Sequence, residues 1–132
     1  MARRILVVDD DELVLVALRE LLAPRGYAVT TVQSGAQALE EIENHRFDLL
    51  ILDVIMPRMD GFQLCERIRA TEGYSRTPIV MLTAKSDPDE EKRGLAAGAD
   101  LFLPKPIPPQ RLLDLIEATV EKGKRTGARN SH

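Results

Sequence analysis

The stretch DLLILDVIMPRMDG, residues 48–61, sets a carboxylate where the surrounding pattern calls for hydrocarbon. Leu49-Leu50-Ile51-Leu52 is an unbroken apolar run of strand length, and Val54-Ile55-Met56 follows directly after Asp53. A strand that is apolar at every position, rather than at every second one, has both faces covered, as strands do in parallel sheets flanked by helices. Asp53, at the end of such a strand, must be desolvated, paired or used. The residues from Met56-Pro57 to Asp60-Gly61 then turn the chain away.

The same pattern recurs on both sides. Ile5-Leu6-Val7-Val8 and Ile79-Val80-Met81-Leu82 are further apolar runs, Ala28 to Val32 is rich in β-branched residues, and Leu101-Phe102-Leu103 is a short fifth strand. Between them lie helical spacings. Leu13, Val14, Ala17, Leu18, Leu21 and Leu22 form the first, closed by Gly26. Ser34 caps the second, whose apolar face is Ala38, Leu39 and Ile42. Phe62 to Arg69 is the third, and Pro88 to Ala97 the fourth, capped by Ser86 or Asp87 and stopped by Gly98. Pro109 opens the fifth, which carries Leu112, Leu113, Leu115, Ile116 and Val120. Strands alternating with helices predict an α/β fold: a flavodoxin-like (βα)5 doubly wound parallel sheet with strand order 2-1-3-4-5. Residues 1–122 form one domain on this reading. Residues 123–132 are basic, lack apolar periodicity and read as a flexible tail.

Composition narrows the function. A chain of 132 residues holds one ordinary domain. A net charge of -3 gives no global attraction to nucleic acid. No apolar run approaches the roughly 18 residues that span a bilayer, and Met1-Ala2-Arg3-Arg4 is followed by too short an apolar run for a secretory signal. The single cysteine, Cys65, excludes an internal disulfide and suits a reducing cytoplasm. Its helical apolar spacing marks a small core residue rather than a nucleophile.

In the expected strand order, polar groups gather beyond the carboxyl ends of the strands. The first strand ends in Asp9-Asp10-Asp11, the third in Asp53, the fourth in Thr83, and Lys105 follows the fifth. Taken singly, each has an ordinary reading: Asp11 as a helix cap, Thr83 as a turn residue, Lys105 as an exposed loop charge. Together they are harder to dismiss. Asp9, Asp10 and Asp53 repel one another unless a cation intervenes, and Mg²⁺ suits carboxylate, water and phosphate oxygens. Calcium would want more protein oxygens than this rim offers. Lys105 supplies a positive point charge and Thr83 a hydroxyl donor. The set makes a phosphoryl-transfer site with Asp53 as nucleophile, which needs no general base because a carboxylate is already ionised.

Four motifs, ILVVDDD at 5–11, LILDVIMPRMDG at 50–61, PIVMLTA at 78–84 and GADLFLPKPI at 98–107, stand in the order and at the intervals of one family. Over residues 3–122 the chain resembles the receiver (phosphoacceptor) domain of two-component response regulators. The resemblance implies that Asp53 is phosphorylated by a sensor histidine kinase or histidine phosphotransfer protein. Asp9 and Asp10 correspond to the magnesium pair, with Asp10 the closer ligand, and Ile55 lends a backbone carbonyl. Thr83 is the switch hydroxyl, Phe102 the switch aromatic, and Lys105 the binder of a phosphoryl oxygen, with a cis Lys105–Pro106 bond. The phosphoryl group draws Thr83 inward, and Phe102 turns into the space released. A downstream protein reads the face of helix 4, strand 5 and helix 5. The domain catalyses its own phosphorylation and slow dephosphorylation and is otherwise not an enzyme. Neither membrane nor direct nucleic-acid contact is expected.

Two departures qualify the resemblance. Ile55 and Lys85 stand where rapidly dephosphorylating members carry a polar residue and an acid, which implies a long-lived phosphoryl group. Asp100 is followed by Leu101, not by a second acid, which places in doubt the charged dimer contact of many DNA-binding members. The alternative to a stand-alone receiver is a fragment of a longer DNA-binding or enzymatic regulator. A haloacid-dehalogenase-type phosphatase would want an aspartate at Ile55, and a flavin module would not tolerate Asp9 to Glu12 in its phosphate loop. A phosphorylation-independent binding domain would have no need of Asp9, Asp10, Asp53, Thr83 and Lys105 together.

Overall fold

The computed structural model describes residues 2–130, with side chains through Glu121. Its strands are β1 (Arg4–Val8), β2 (Ala28–Val32), β3 (Leu49–Leu52), β4 (Ile79–Thr83) and β5 (Leu101–Pro104). The helices are α1 (Glu12–Leu22), α2 (Gly35–Asn44), α3 (Gly61–Ala70), α4 (Pro88–Ala97) and α5 (Pro109–Asn130). All pairings are parallel and the order is β2-β1-β3-β4-β5, as the alternation of patterns predicts.

Successive strand residues point to opposite faces, so each apolar run feeds two cores. Leu6, Val8, Leu50, Leu52, Ile79 and Met81 meet Ala38 and Ile42 of α2 and Leu64, Cys65 and Ile68 of α3. Ile5, Val7, Leu49, Ile51, Val80 and Leu82 meet Leu15, Leu18 and Leu22 of α1 and Leu112, Leu113 and Ile116 of α5. Burying one such side chain contributes about 1.5–3 kcal/mol, so the two layers together fix the position of the strand ends. β2, the edge strand beside β1, has no fully buried residue, consistent with its Thr30-Thr31 pair.

Helix starts follow local chemistry. Asp11 accepts from Leu13 N at 2.9 Å, Ser34 caps α2, and Asp87 rather than Ser86 caps α4. Asp60 and Gln63 form a reciprocal capping box at the start of α3. A Cβ on Gly61 would collide with the Asp53 carbonyl and the Val54 backbone, so the turn after β3 needs a glycine to fold back this closely. Gly26, in the left-handed region at φ 94°, closes a short 3₁₀ turn at Ala23–Arg25, because α1 itself ends at Leu22 ahead of Pro24. Helix α5 continues to Asn130, past Lys122 where the sequence pattern ends the domain. The expected flexibility of the basic segment 123–132 falls beyond the described side chains.

Candidate phosphoryl-transfer site

β1 and β3 are neighbours with Val8 opposite Leu52, so the residue after each strand lands beside the other. Those residues are Asp9 and Asp53, and Asp53 N donates to Val8 O at 2.9 Å. Asp9 is 2 % exposed and Asp53 7 %, whereas Asp10 is exposed. One carboxylate oxygen from each of the three lies within 4.8 Å of the others.

Lys105 answers part of this negative charge. Its Nζ lies 2.6 Å from Asp9 Oδ2 and 3.6 Å from Asp53 Oδ2. The other Asp9 oxygen accepts from Asp11 N at 2.8 Å. Lys105 is fixed through its backbone, whose N–H donates to Thr83 O at 2.9 Å, and the Lys105–Pro106 bond is cis as the resemblance implies. Thr83 is wholly buried, and its Oγ1 accepts from Lys85 N at 3.1 Å. With that lone pair engaged, the hydroxyl proton remains available for donation.

Burial pushes the Asp53 carboxyl above its ordinary range, and the Asp9 charge adds to this. Lys105 and the backbone N–H groups of Ile55 and Val54 pull it back. Three carboxylates thus face one ammonium group at a half-sheltered rim. All three are hard oxygen donors, with no cysteine or histidine among them. A hard divalent cation fits this set in charge and in donor type.

Asp9, Asp10, Asp53, Thr83 and Lys105 therefore stand together at one rim as the sequence reading expects. Ile55, two residues after Asp53, is 53 % exposed. Phe102 is not at the rim. It lies in β5, 8 % exposed, with its ring against Gly94. Asp100 is exposed but its Oδ2 is already engaged within the fold, accepting from Ile79 N at 2.8 Å and from Arg69 Nη2 at 3.0 Å. Arg69 carries no sequence signal, because its partners on Tyr74, Thr77 and Gly98 are all carbonyl oxygens brought in by the tertiary fold.

A family model for the response regulator receiver domain matches residues 5–117. This chain belongs to the response regulator receiver family. The receiver is 44 % identical over 122 residues to response regulator MprA of Mycobacterium sp. strain KMS, covering 92 % of this chain and 52 % of that protein. It thus spans about half the length of the curated relatives it matches. Among solved structures, the receiver is 35 % identical to the chemotaxis protein CheY4 of Vibrio cholerae, with a TM-score of 0.87 and coverage of 90 % and 99 % of the two chains. It is 30 % identical to the receiver domain of sensor histidine kinase PA1611 of Pseudomonas aeruginosa, with a TM-score of 0.84 and coverage of 92 % and 99 %. That structure has a magnesium ion coordinated in its active-site cleft.

Proposed function

We propose that this receiver accepts a phosphoryl group onto Asp53 from a phosphohistidine-bearing histidine kinase or phosphotransfer protein. The observation that carries this reading is Asp53 itself, nearly buried, with Asp9 and Asp10 oxygens within 4.8 Å and Lys105 Nζ at 3.6 Å. An Asp53 oxygen attacks phosphorus in line. The P–O bond forms as the P–N bond to imidazole breaks, and the departing imidazole takes up a proton. Mg²⁺, held by Asp9, Asp10, Asp53 and the Ile55 carbonyl, would neutralise charge on the phosphoryl oxygens. Lys105 exchanges Asp9 for a phosphoryl oxygen, and Thr83 donates to another.

The phosphodonor has a surface to rest on. An apolar groove of about 730 Å³ runs between α1 and the β5–α5 loop, lined by Val14, Leu21, Ile107 and Pro109, and reaches Lys105. Leu13 and Val16 of α1 are also exposed. A helix of the donor seated there would present its phosphohistidine to Asp53. Phosphorylation then biases Thr83 and Phe102, and a downstream protein reads the α4–β5–α5 face. The domain acts as a signalling element at residues 1–122, with 123–132 as a basic tail, and turns over only its own phosphoryl group. No described helix is long and apolar enough to cross a membrane, and we place the receiver in the cytoplasm. The 52 % coverage of the mycobacterial relative favours a second reading, in which the same site controls an attached output domain.

Intact mass after incubation with acetyl phosphate and Mg²⁺ tests the site. One phosphoryl group is expected on the wild type, none without Mg²⁺ and none on Asp53→Asn. A phosphoryl group retained by the Asp53→Asn protein would falsify the assignment.

A further inference from the structure

Among residues with described side chains, Gly94 is the only glycine inside a helix, since Gly35 and Gly61 each stand at a helix start. Glycine weakens a helix interior, so its presence there calls for a packing reason. The reason is the ring of Phe102. A Cβ on Gly94 would stand 2.6 Å from Phe102 Cδ1, 2.9 Å from its Cε1 and 3.0 Å from Met81 Sδ. Met81 is fully buried on β4, but its flexible end need yield only a few tenths of an ångström, so the ring is the contact that decides.

The helix has little room to retreat either. Cys65 of α3 donates its thiol to Ala97 O at 3.4 Å, and Arg69 holds Gly98 O through Nε at 3.0 Å and Nη2 at 2.7 Å. The Arg93 guanidinium lies 4.4 Å from the centre of the Phe62 ring. Helix α4 is thus tied to α3 on either side of Gly94. An added methyl group must therefore displace the aromatic ring rather than the helix.

We propose that the missing side chain at Gly94 is the seat of the switch aromatic, so that residue 94 decides whether Phe102 can lie inward at all. Gly94 is a positioning residue that acts through Phe102. The proposal rests on the reading of Asp53 as phosphoacceptor, because that reading makes the ring position an output. A methyl at 94 holds the ring out whatever the state of Asp53, and so separates phosphoryl uptake from its consequence.

The full chain labelled with 4-fluorophenylalanine carries three fluorines, at Phe47, Phe62 and Phe102. Phe102→Leu identifies the third signal. In the wild type that signal is expected to show a small H₂O/D₂O isotope shift, as a buried ring does. In Gly94→Ala it moves to an exposed position with a large isotope shift. It stays there when intact mass shows that acetyl phosphate and Mg²⁺ have added a phosphoryl group. The Gly94→Ala/Phe102→Leu protein is expected to melt close to Phe102→Leu, because the clash with the ring is gone and the Met81 thioether can yield. An unchanged Phe102 signal in Gly94→Ala overturns the proposal, as does an equal loss of stability in the Phe102→Leu background. If Gly94→Ala does not fold, recovery of folding in the double variant supports the seat and continued failure refutes it. A wild type that gains no mass refutes the phosphoacceptor reading alone, because the fluorine signal reports the seat separately.

Discussion

Asp53 is pulled in opposite directions by its surroundings. Burial and the neighbouring Asp9 charge raise its carboxyl pKa above the unfolded value. The native state therefore holds that proton more tightly than the unfolded chain does, and stability falls as pH rises through the window between the two values. Above the native pKa the penalty is fully present; below the unfolded one it is gone. Without divalent cations, Asp53→Asn is expected to unfold at higher urea than the wild type at pH 7, and the difference should shrink as pH falls into the carboxylate range. Equal midpoints at pH 7 would contradict this. Two residues along, the exposed Ile55 has no group to orient water, and Lys85 is drawn to Glu90 at 3.6 Å. Replacing Ile55 with Asn adds one hydrogen bond to an attacking water. At about 1.4 kcal/mol this shortens the phosphoryl lifetime by about tenfold, followed as mass loss in Mg²⁺. Rapid loss in the wild type, unmoved by the substitution, would refute the long-lived state.

At the scale of elements, the loops at the end of the sheet opposite the site are anchored to one another. Arg69 of α3 reaches carbonyl oxygens of Tyr74, Thr77 and Gly98 and the carboxylate of Asp100, joining α3 to the loops on both sides of β4 and α4. Its side chain is 18 % exposed, so its loss leaves several partly buried acceptors without a donor. Arg69→Leu is expected to lower stability by about 3 kcal/mol, measured by urea unfolding. Arg69→Lys should recover little, because an ammonium cannot reproduce the planar fork. A variant within 1 kcal/mol of the wild type, roughly the value of an exposed ion pair, would mean that water replaces the guanidinium freely. The same packing accounts for Cys65, whose thiol is buried, bonded to Ala97 O and pushed up to about 11 by burial. It is a structural side chain, as its helical spacing in the sequence implies.

Across the whole molecule, legibility follows the range of the interaction. Apolar runs and helical spacings are local, so the strand order and the five rim residues could be read before any coordinates. Asp100 and Arg69 could not, because their partners are carbonyl oxygens and a backbone N–H supplied by distant segments. The seating of Phe102 against Gly94 is equally a product of tertiary packing. What remains electrostatically unfinished in the folded molecule is the rim, where Asp9, Asp10 and Asp53 face a single lysine. A cation that binds this arrangement and not the unfolded chain must stabilise the fold by mass action, by about 2.7 kcal/mol at one hundred times its Kd. Urea unfolding with Mg²⁺ should show a higher midpoint at unchanged slope, since the surface exposed on unfolding is the same. The gain should diminish as pH falls and the carboxylates take up protons. It should also be largely lost in Asp10→Asn, whose exposed side chain can be changed with little effect on the core. A midpoint indifferent to Mg²⁺, or one raised equally in Asp10→Asn, would remove the cation from this rim and with it the means of neutralising a phosphoryl group beside Asp53.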